Sequence, residues 1–156
     1  MKTDIPVTVI GGYLGAGKTT MVNHLLRHAA GRRIAILVNE FGDLPIDEDL
    51  IEAEGEDMIA ISGGCICCSF GSDLTVALIK LSELTPPPDH VVIEASGVAM
   101  PGTVALSISI LPGFALSGVV VLADGEWVQA QAEDDYIGDT ILRQLSDADV
   151  IVHSKT

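Results

Sequence analysis

At 156 residues the chain is one domain, long enough to bury a substantial core. A formal net charge of -14 argues against non-specific binding to nucleic acid or to an anionic membrane surface. Apolar residues make up 48% and aromatic ones only 4%, so the core must be Val, Ile, Leu and Ala, as suits a parallel sheet covered by helices on both faces.

In chain order, residues 7–10 form a short β-branched run ending in glycines and predict a strand. Asp4 interrupts any apolar run before it, so no secretory signal is expected. Met21, Val22, Leu25, Leu26 and Ala29 share one face of a helix predicted over 18–30, which Gly31 stops. Strands follow at 34–38 and 58–61. A helix over 73–84 cannot pass Pro86, Pro87 and Pro88. Residues 91–93 predict a buried strand, and Pro101 opens a short helix toward Ile110. Strands at 119–122 and 150–152 enclose a helix around 141–145. The uncharged stretch 104–123 approaches the length of a membrane span, but Pro112 and Gly113 break it; a buried helix, a turn and a buried strand explain it better. Strands alternating with helices give a doubly wound, mostly parallel α/β sheet with helices on both faces. The chain ends directly after a strand, where α/β sheets place binding loops, so a longer parent protein is expected.

Gly12-Tyr13-Leu14-Gly15-Ala16-Gly17-Lys18-Thr19, followed by Thr20, matches the P-loop pattern between a strand and a helix. Glycines let successive backbone N–H groups wrap a phosphate at a helix N-terminus. Lys18 is expected to neutralise β- and γ-phosphate oxygens, and the Thr19 hydroxyl to bind Mg²⁺. The competing reading, a glycine-rich turn with an incidental lysine, does not account for the full pattern in its expected context. Glu94 ends the strand at 91–93, where a direct or indirect Mg²⁺ ligand belongs, and Gly97 then offers its N–H to the γ-phosphate.

All three cysteines fall within four residues, Gly63-Gly64-Cys65-Ile66-Cys67-Cys68, which is not a disulfide framework. Clustered thiols need a reducing compartment, favouring the cytoplasm. Thiolates suit Zn²⁺, and the paired glycines predict a tight loop on which three sulfurs converge on one ion, leaving a fourth position to fill. Glu40, Asp43 and the histidines are the remaining ligand candidates. Buried cysteines acting as small apolar residues, or a redox pair, are the alternatives. Asn39-Glu40-Phe41-Gly42-Asp43 follows the second strand and faces the P-loop edge, a natural switch for sensing γ-phosphate. His24 and His28 stand at i and i+4, a spacing that can bind metal, although they flank Arg27 on a polar face. From 43 to 57 the chain carries eight acidic residues and no basic one, by default a solvated face and otherwise a docking or metal-collecting patch.

Together, the P-loop, Asn39-Glu40-Phe41-Gly42, Gly-Gly-Cys-x-Cys-Cys at 63–68 and Glu94-x-x-Gly97 resemble the CobW-type GTPases, relatives of the nickel-insertion GTPases of urease and hydrogenase. The resemblance covers essentially the whole chain, and the thiol motif is its most specific element. It implies GTP hydrolysis coupled to binding a metal such as zinc or cobalt and delivering it to a client protein. It also implies a further C-terminal domain. The family's Asn-Lys-x-Asp motif reads the guanine; here Ser154-Lys155-Thr156 stands in its place, with Ser for Asn and the chain ending before the Asp, while Lys155 fits the stacking role.

The expected mechanism holds the triphosphate on the backbone from Gly15 to Thr20 and on Lys18, with Thr19 and Glu94 organising Mg²⁺ for in-line attack by water. Glu40 and Asp43 are the candidates for orienting that water. Two rivals stay open: a small ATP-using kinase or ATPase with structural thiols, and a metal-binding switch that hydrolyses negligibly. A homo-oligomer is also left open.

Overall fold

The computed structural model describes residues 4–13, 16–39, 46–55, 58–70, 73–95 and 100–154. Eight strands among them form one sheet, β1 (Ile5–Gly11), β2 (Ile34–Val38), β3 (Ile51–Glu54), β4 (Met58–Ile61), β5 (Ile66–Ser69), β6 (His90–Glu94), β7 (Phe114–Asp124) and β8 (Val150–Ser154). The helices are α1 (Lys18–Arg27), α2 (Leu74–Ser82), α3 (Pro101–Ser109), α4 (Val128–Ala132) and α5 (Gly138–Ser146). The spatial order is β3-β4-β5-β2-β6-β1-β7-β8. From β5 to β8 neighbours pair in parallel; β4 runs antiparallel to both β5 and β3.

The core follows from the two-residue period of the strands. Ile10, Ile36, Val38, Val92 and Leu122 face α1, whose Val22 and Leu26 are buried against them. Fully burying such a side chain contributes about 1.5–3 kcal/mol. Val7, Ala35, Leu37, Val91 and Ile93 face the other way, onto Leu78 and Leu81 of α2 and Ile108 of α3. Val9, Val119 and Val121 pack with Ala105 of α3 and Leu145 of α5. The doubly wound sheet expected from the sequence is therefore present, with helices on both faces.

The boundaries differ in instructive ways. Helix α1 stops at Arg27, with His28 as its cap at φ -115° and ψ 27°, and the chain then turns through Ala30 and Gly31 at positive φ, 55° and 83°. Asp73 is the cap of α2 rather than its first residue, its Oδ1 accepting from Val76 N at 3.1 Å. Strand β7 is longer than predicted, and α4 was not expected. The stretch 104–123 resolves into α3, a turn at Pro112 and Gly113, and β7. None of the helices among the described residues is long and apolar enough to cross a membrane.

Two strands were not anticipated. Ile51–Glu54 lies within the acidic run as the outermost strand, mostly exposed. Ile66–Ser69, which carries two of the thiols, was expected to be part of a tight loop. It is a strand because Ile66, Cys67 and Cys68 are compact apolar residues that fill a slot between β2 and β4.

Candidate functional site

The phosphate loop sits at the carboxyl end of β1, between β6 and β7. Gly12 has φ 140°, and a Cβ there would lie 2.7 Å from the Leu122 carbonyl, so only glycine lets the chain turn against β7. Ala16 is buried, and its N–H donates to the Tyr13 carbonyl at 3.1 Å. Gly17, at φ 98°, is the residue from which α1 starts. Leu14 and Gly15 lie outside the described residues. Gly12 and Gly17 thus flank a turn into a helix N-terminus, the setting in which backbone N–H groups can face an anion.

Lys18 is buried at the start of α1. Its Nζ is 3.0 Å from Glu94 Oε1 and donates to the Ala95 carbonyl at 3.1 Å. Glu94 itself is buried at the tip of β6, in register with Ile10, and Ala95 N donates to the Ile10 carbonyl at 2.9 Å. Of the expected phosphate-site residues, the structure thus brings Lys18 and Glu94 into direct contact. Thr19 is half-buried one residue along the same helix, and Thr20 is exposed. Gly97 and Lys155 lie outside the described residues.

Strand β8 closes the site from its edge. The Ser154 hydroxyl donates to the Ala16 carbonyl at 2.6 Å and approaches the Ala123 carbonyl at 3.3 Å. Ser154, which stands where the family motif has Asn, fastens the phosphate loop to the sheet. Asp124, not singled out from sequence, is buried in register with Ser154, and its Oδ1 accepts from Glu126 N at 3.0 Å. An acidic residue ending a long apolar strand just before a glycine was its available signal.

The thiols are arranged differently from the expectation. Cys65 and Cys67 are each 1% exposed and belong to the cluster facing α1, whereas Cys68 packs with Leu37 and Val91 on the opposite face. Consecutive strand residues point to opposite faces, so the three sulfurs do not converge on one point in this conformation. Among the described residues no group of three or more His, Cys, Asp or Glu side chains is placed to hold a metal. Glu40 and Asp43, the proposed additional ligands, lie outside the described residues. Burial, reinforced by the neighbouring Cys68, pushes the Cys67 thiol up to about 12, so it is a neutral thiol here. Cys65 Sγ lies 3.5 Å from the Arg32 carbonyl, tying the thiol turn to the segment after α1.

His24 and His28 stack with ring centroids 4.2 Å apart, and His28 Nδ1 lies 2.9 Å from the His24 carbonyl. His90 is hydrogen-bonded to Thr8 Oγ1 at 2.7 Å, while His153 is exposed. The acidic run is not merely a solvated face. Arg27 pairs with both Asp47 and Asp49 at 2.8 Å, which draws Asp49 below the usual carboxylate range and raises the guanidinium.

A glycine-rich turn between strand and helix on a parallel sheet, with a buried Lys–Glu pair beneath it, defines a P-loop nucleotide-binding domain. More particularly, the chain belongs to the CobW/HypB/UreG nucleotide-binding domain family, which it matches over residues 6–156. It is 38% identical over 180 residues to a zinc chaperone CobW of Sinorhizobium sp, covering 97% of this chain and 51% of that protein. It is 33% identical over 162 residues to the zinc-regulated GTPase metalloprotein activator 1 of Schizosaccharomyces pombe, covering 97% and 39%. Among solved structures, the Zn(II)-bound YjiA GTPase of E. coli is similar with a TM-score of 0.78 at 30% identity, covering 99% of this chain and 50% of that one. The chain therefore spans about half the length of these relatives, or less.

Proposed function

We propose that the chain binds GTP with Mg²⁺ and hydrolyses it, and that this cycle governs uptake of zinc or a similar divalent metal and its transfer to a client protein in the cytoplasm. The observation that carries the first part is Lys18 held on Glu94 at the start of α1, behind the turn that Gly12 and Gly17 flank. The relatives named as zinc chaperones and a zinc-regulated GTPase support the second.

In this reading the backbone amides from Gly15 to Thr20 and the Lys18 ammonium hold the triphosphate. Lys18, placed beside Glu94, would hold phosphate oxygens, and the Glu94 carboxylate would hold Mg²⁺ or a water bound to it. The Thr19 hydroxyl supplies the other protein oxygen, and Gly97 its N–H. The fit rests on a turn into α1 that only glycine at position 12 allows against β7, and on a hard-oxygen donor set suited to Mg²⁺. The cation would neutralise charge on the β- and γ-phosphates. Ser154 fastens the loop at Ala16, and Lys155 would stack on the base.

Zinc is cargo in this scheme. Cys65 and Cys67 lie on one face but are buried, so metal can reach them only if the structure over them opens. The burial of all three thiols also favours a second reading, in which the cysteines serve only as core residues beside an ordinary P-loop hydrolase.

The deciding experiment is GTP hydrolysis with Mg²⁺, with and without one equivalent of Zn²⁺, for the wild type and Cys67→Ser. A zinc-dependent rate that the substitution removes supports metal coupling. Identical rates in every condition leave the second reading. ATP outcompeting GTP would move the chain to an ATP-using class.

A further inference from the structure

Two residues one turn apart on α1 grip the same acidic segment. Asn23 is buried, and an Asn in a helix interior is disfavoured unless its amide is used. Here it is used at both ends: Nδ2 donates to the Thr19 carbonyl at 3.0 Å, and Oδ1 accepts from Asp47 N at 2.9 Å. Arg27 reaches the same place from outside, donating from Nη1 to Asp49 Oδ2 at 2.9 Å and from Nη2 to Asp47 Oδ2 and Asp49 Oδ1 at 2.8 Å.

The gripped segment leads to the thiols. Leu50 N donates to the Asp47 carbonyl at 3.0 Å, making a single tight turn whose end, Leu50, is buried in the cluster that holds Cys65 and Cys67. The Leu50 carbonyl accepts from Ser62 Oγ at 3.2 Å, and Ser62 opens the turn that delivers Cys65. A physical chain of contacts thus runs from Thr19, through Asn23 and Asp47, to the entrance of the thiol strand. A second tie runs from that strand back toward β2, since Ser69 Oγ donates to the Asn39 carbonyl at 3.0 Å.

We propose that Asn23 and Arg27 are positioning residues that latch segment 47–50 to α1, so that nucleotide engagement at Thr19 sets the access of reagents and metal to Cys65 and Cys67. The proposal rests on the reading that nucleotide and metal states are coupled, and it names the residues through which they are. Both side chains act here through protein partners, Asn23 on Thr19 and Asp47 and Arg27 on Asp47 and Asp49. A rigid helix, a one-turn segment pinned at its start, and a buried leucine against the thiol turn give the displacement a route.

The test follows thiol modification by a maleimide, read by mass, with and without Mg²⁺ and a non-hydrolysable GTP analogue. It compares the wild type, Arg27→Ala, Arg27→Lys and Asn23→Ala. The wild type should show a change in labelling rate of about tenfold on adding nucleotide, a common size for such couplings. In Arg27→Ala and Asn23→Ala the change should fall below about twofold, with Arg27→Lys intermediate because it keeps the charge but not the forked contact. Nucleotide affinity of Arg27→Ala should stay within about threefold of wild type, since Arg27 is remote from the phosphate loop. If Asn23→Ala fails to fold, the exposed Arg27 variants carry the test alone. Full nucleotide dependence in both alanine variants, or in the Arg27 variants where Asn23→Ala is unfolded, overturns the latch and leaves the coupling standing. No nucleotide dependence in the wild type overturns both.

Discussion

The Ser154 hydroxyl donates to the Ala16 carbonyl across 138 residues of sequence, so the edge strand β8 is fastened to the phosphate loop by a 2.6 Å hydrogen bond. A Cβ on Gly17 would come within 3.6 Å of the Ser154 side chain, which places the serine directly against the turn that starts α1. Ser154→Ala deletes the bond and leaves the rest of β8 in place. The expected loss is about 1 kcal/mol of loop preorganisation, or roughly fivefold in nucleotide affinity. Calorimetric titration with GTP on the wild type and the variant checks it, and unchanged affinity would show that the loop holds its shape without β8.

Lys18 and Glu94 are a buried pair, 9% and 3% exposed, with a 3.0 Å contact. Removing one partner leaves a buried charge without its counterion, whereas removing both charges does not. Lys18→Met should therefore destabilise the fold by about 3 kcal/mol, and adding Glu94→Gln should recover much of that loss. Urea unfolding of the two single variants and the double variant measures the coupling. Strictly additive losses would mean that the pair contributes nothing to the folded state, and nucleotide binding should be lost in both Lys18 variants.

How far the sequence reveals this site depends on the range of the interactions that build it. The phosphate loop is legible because its chemistry is local: glycine spacing, one lysine and one threonine between a strand and a helix. The parallel sheet is legible from the apolar runs at 34–38 and 91–93. The thiol strand is not, because Gly63 and Gly64 signal a turn while the pairing that makes Ile66–Ser69 a strand comes from β2 and β4. For the same reason Asn23 reads as an ordinary polar helix residue. Its partners at Thr19 and Asp47 become visible only when segment 47–50 folds back on α1. Ser154 departs from the family motif, and its bond to Ala16 depends on the fold bringing β8 beside the phosphate loop.

His90 predicts a pH effect unrelated to nucleotide. It lies at the start of β6, hydrogen-bonded to Thr8, and burial followed by the nearby Arg32 charge lowers its pKa from the ordinary 6.5. A proton is therefore bound more readily by the unfolded chain. This contribution to stability is complete above about pH 6.5 and is lost as pH falls from there toward the lowered folded value. Melting temperature should drop between pH 7.5 and pH 5.5 by less in His90→Gln than in the wild type. Equal drops would place the acid sensitivity elsewhere.

The two faces of β5 make the last prediction. Cys67 stands in register with Ile36 and Cys68 with Leu37, and those partners belong to clusters on opposite sides of the sheet. A tetrahedral zinc site needs every sulfur about 2.3 Å from the ion, which residues on opposite faces of a paired strand cannot supply together. If β5 stays paired with β2 when metal binds, Cys65 and Cys67 are ligands and Cys68 is a core residue. Cys65→Ser and Cys67→Ser should then each weaken zinc binding by at least about tenfold, and Cys68→Ser by less than about threefold. Competition against a chromophoric chelator, with and without GTP, gives the affinities. Equal losses in all three variants would mean that β5 leaves β2 to gather its sulfurs. Zinc capture would then cost the sheet a strand, and a GTP-dependent affinity would show that the nucleotide helps to release it.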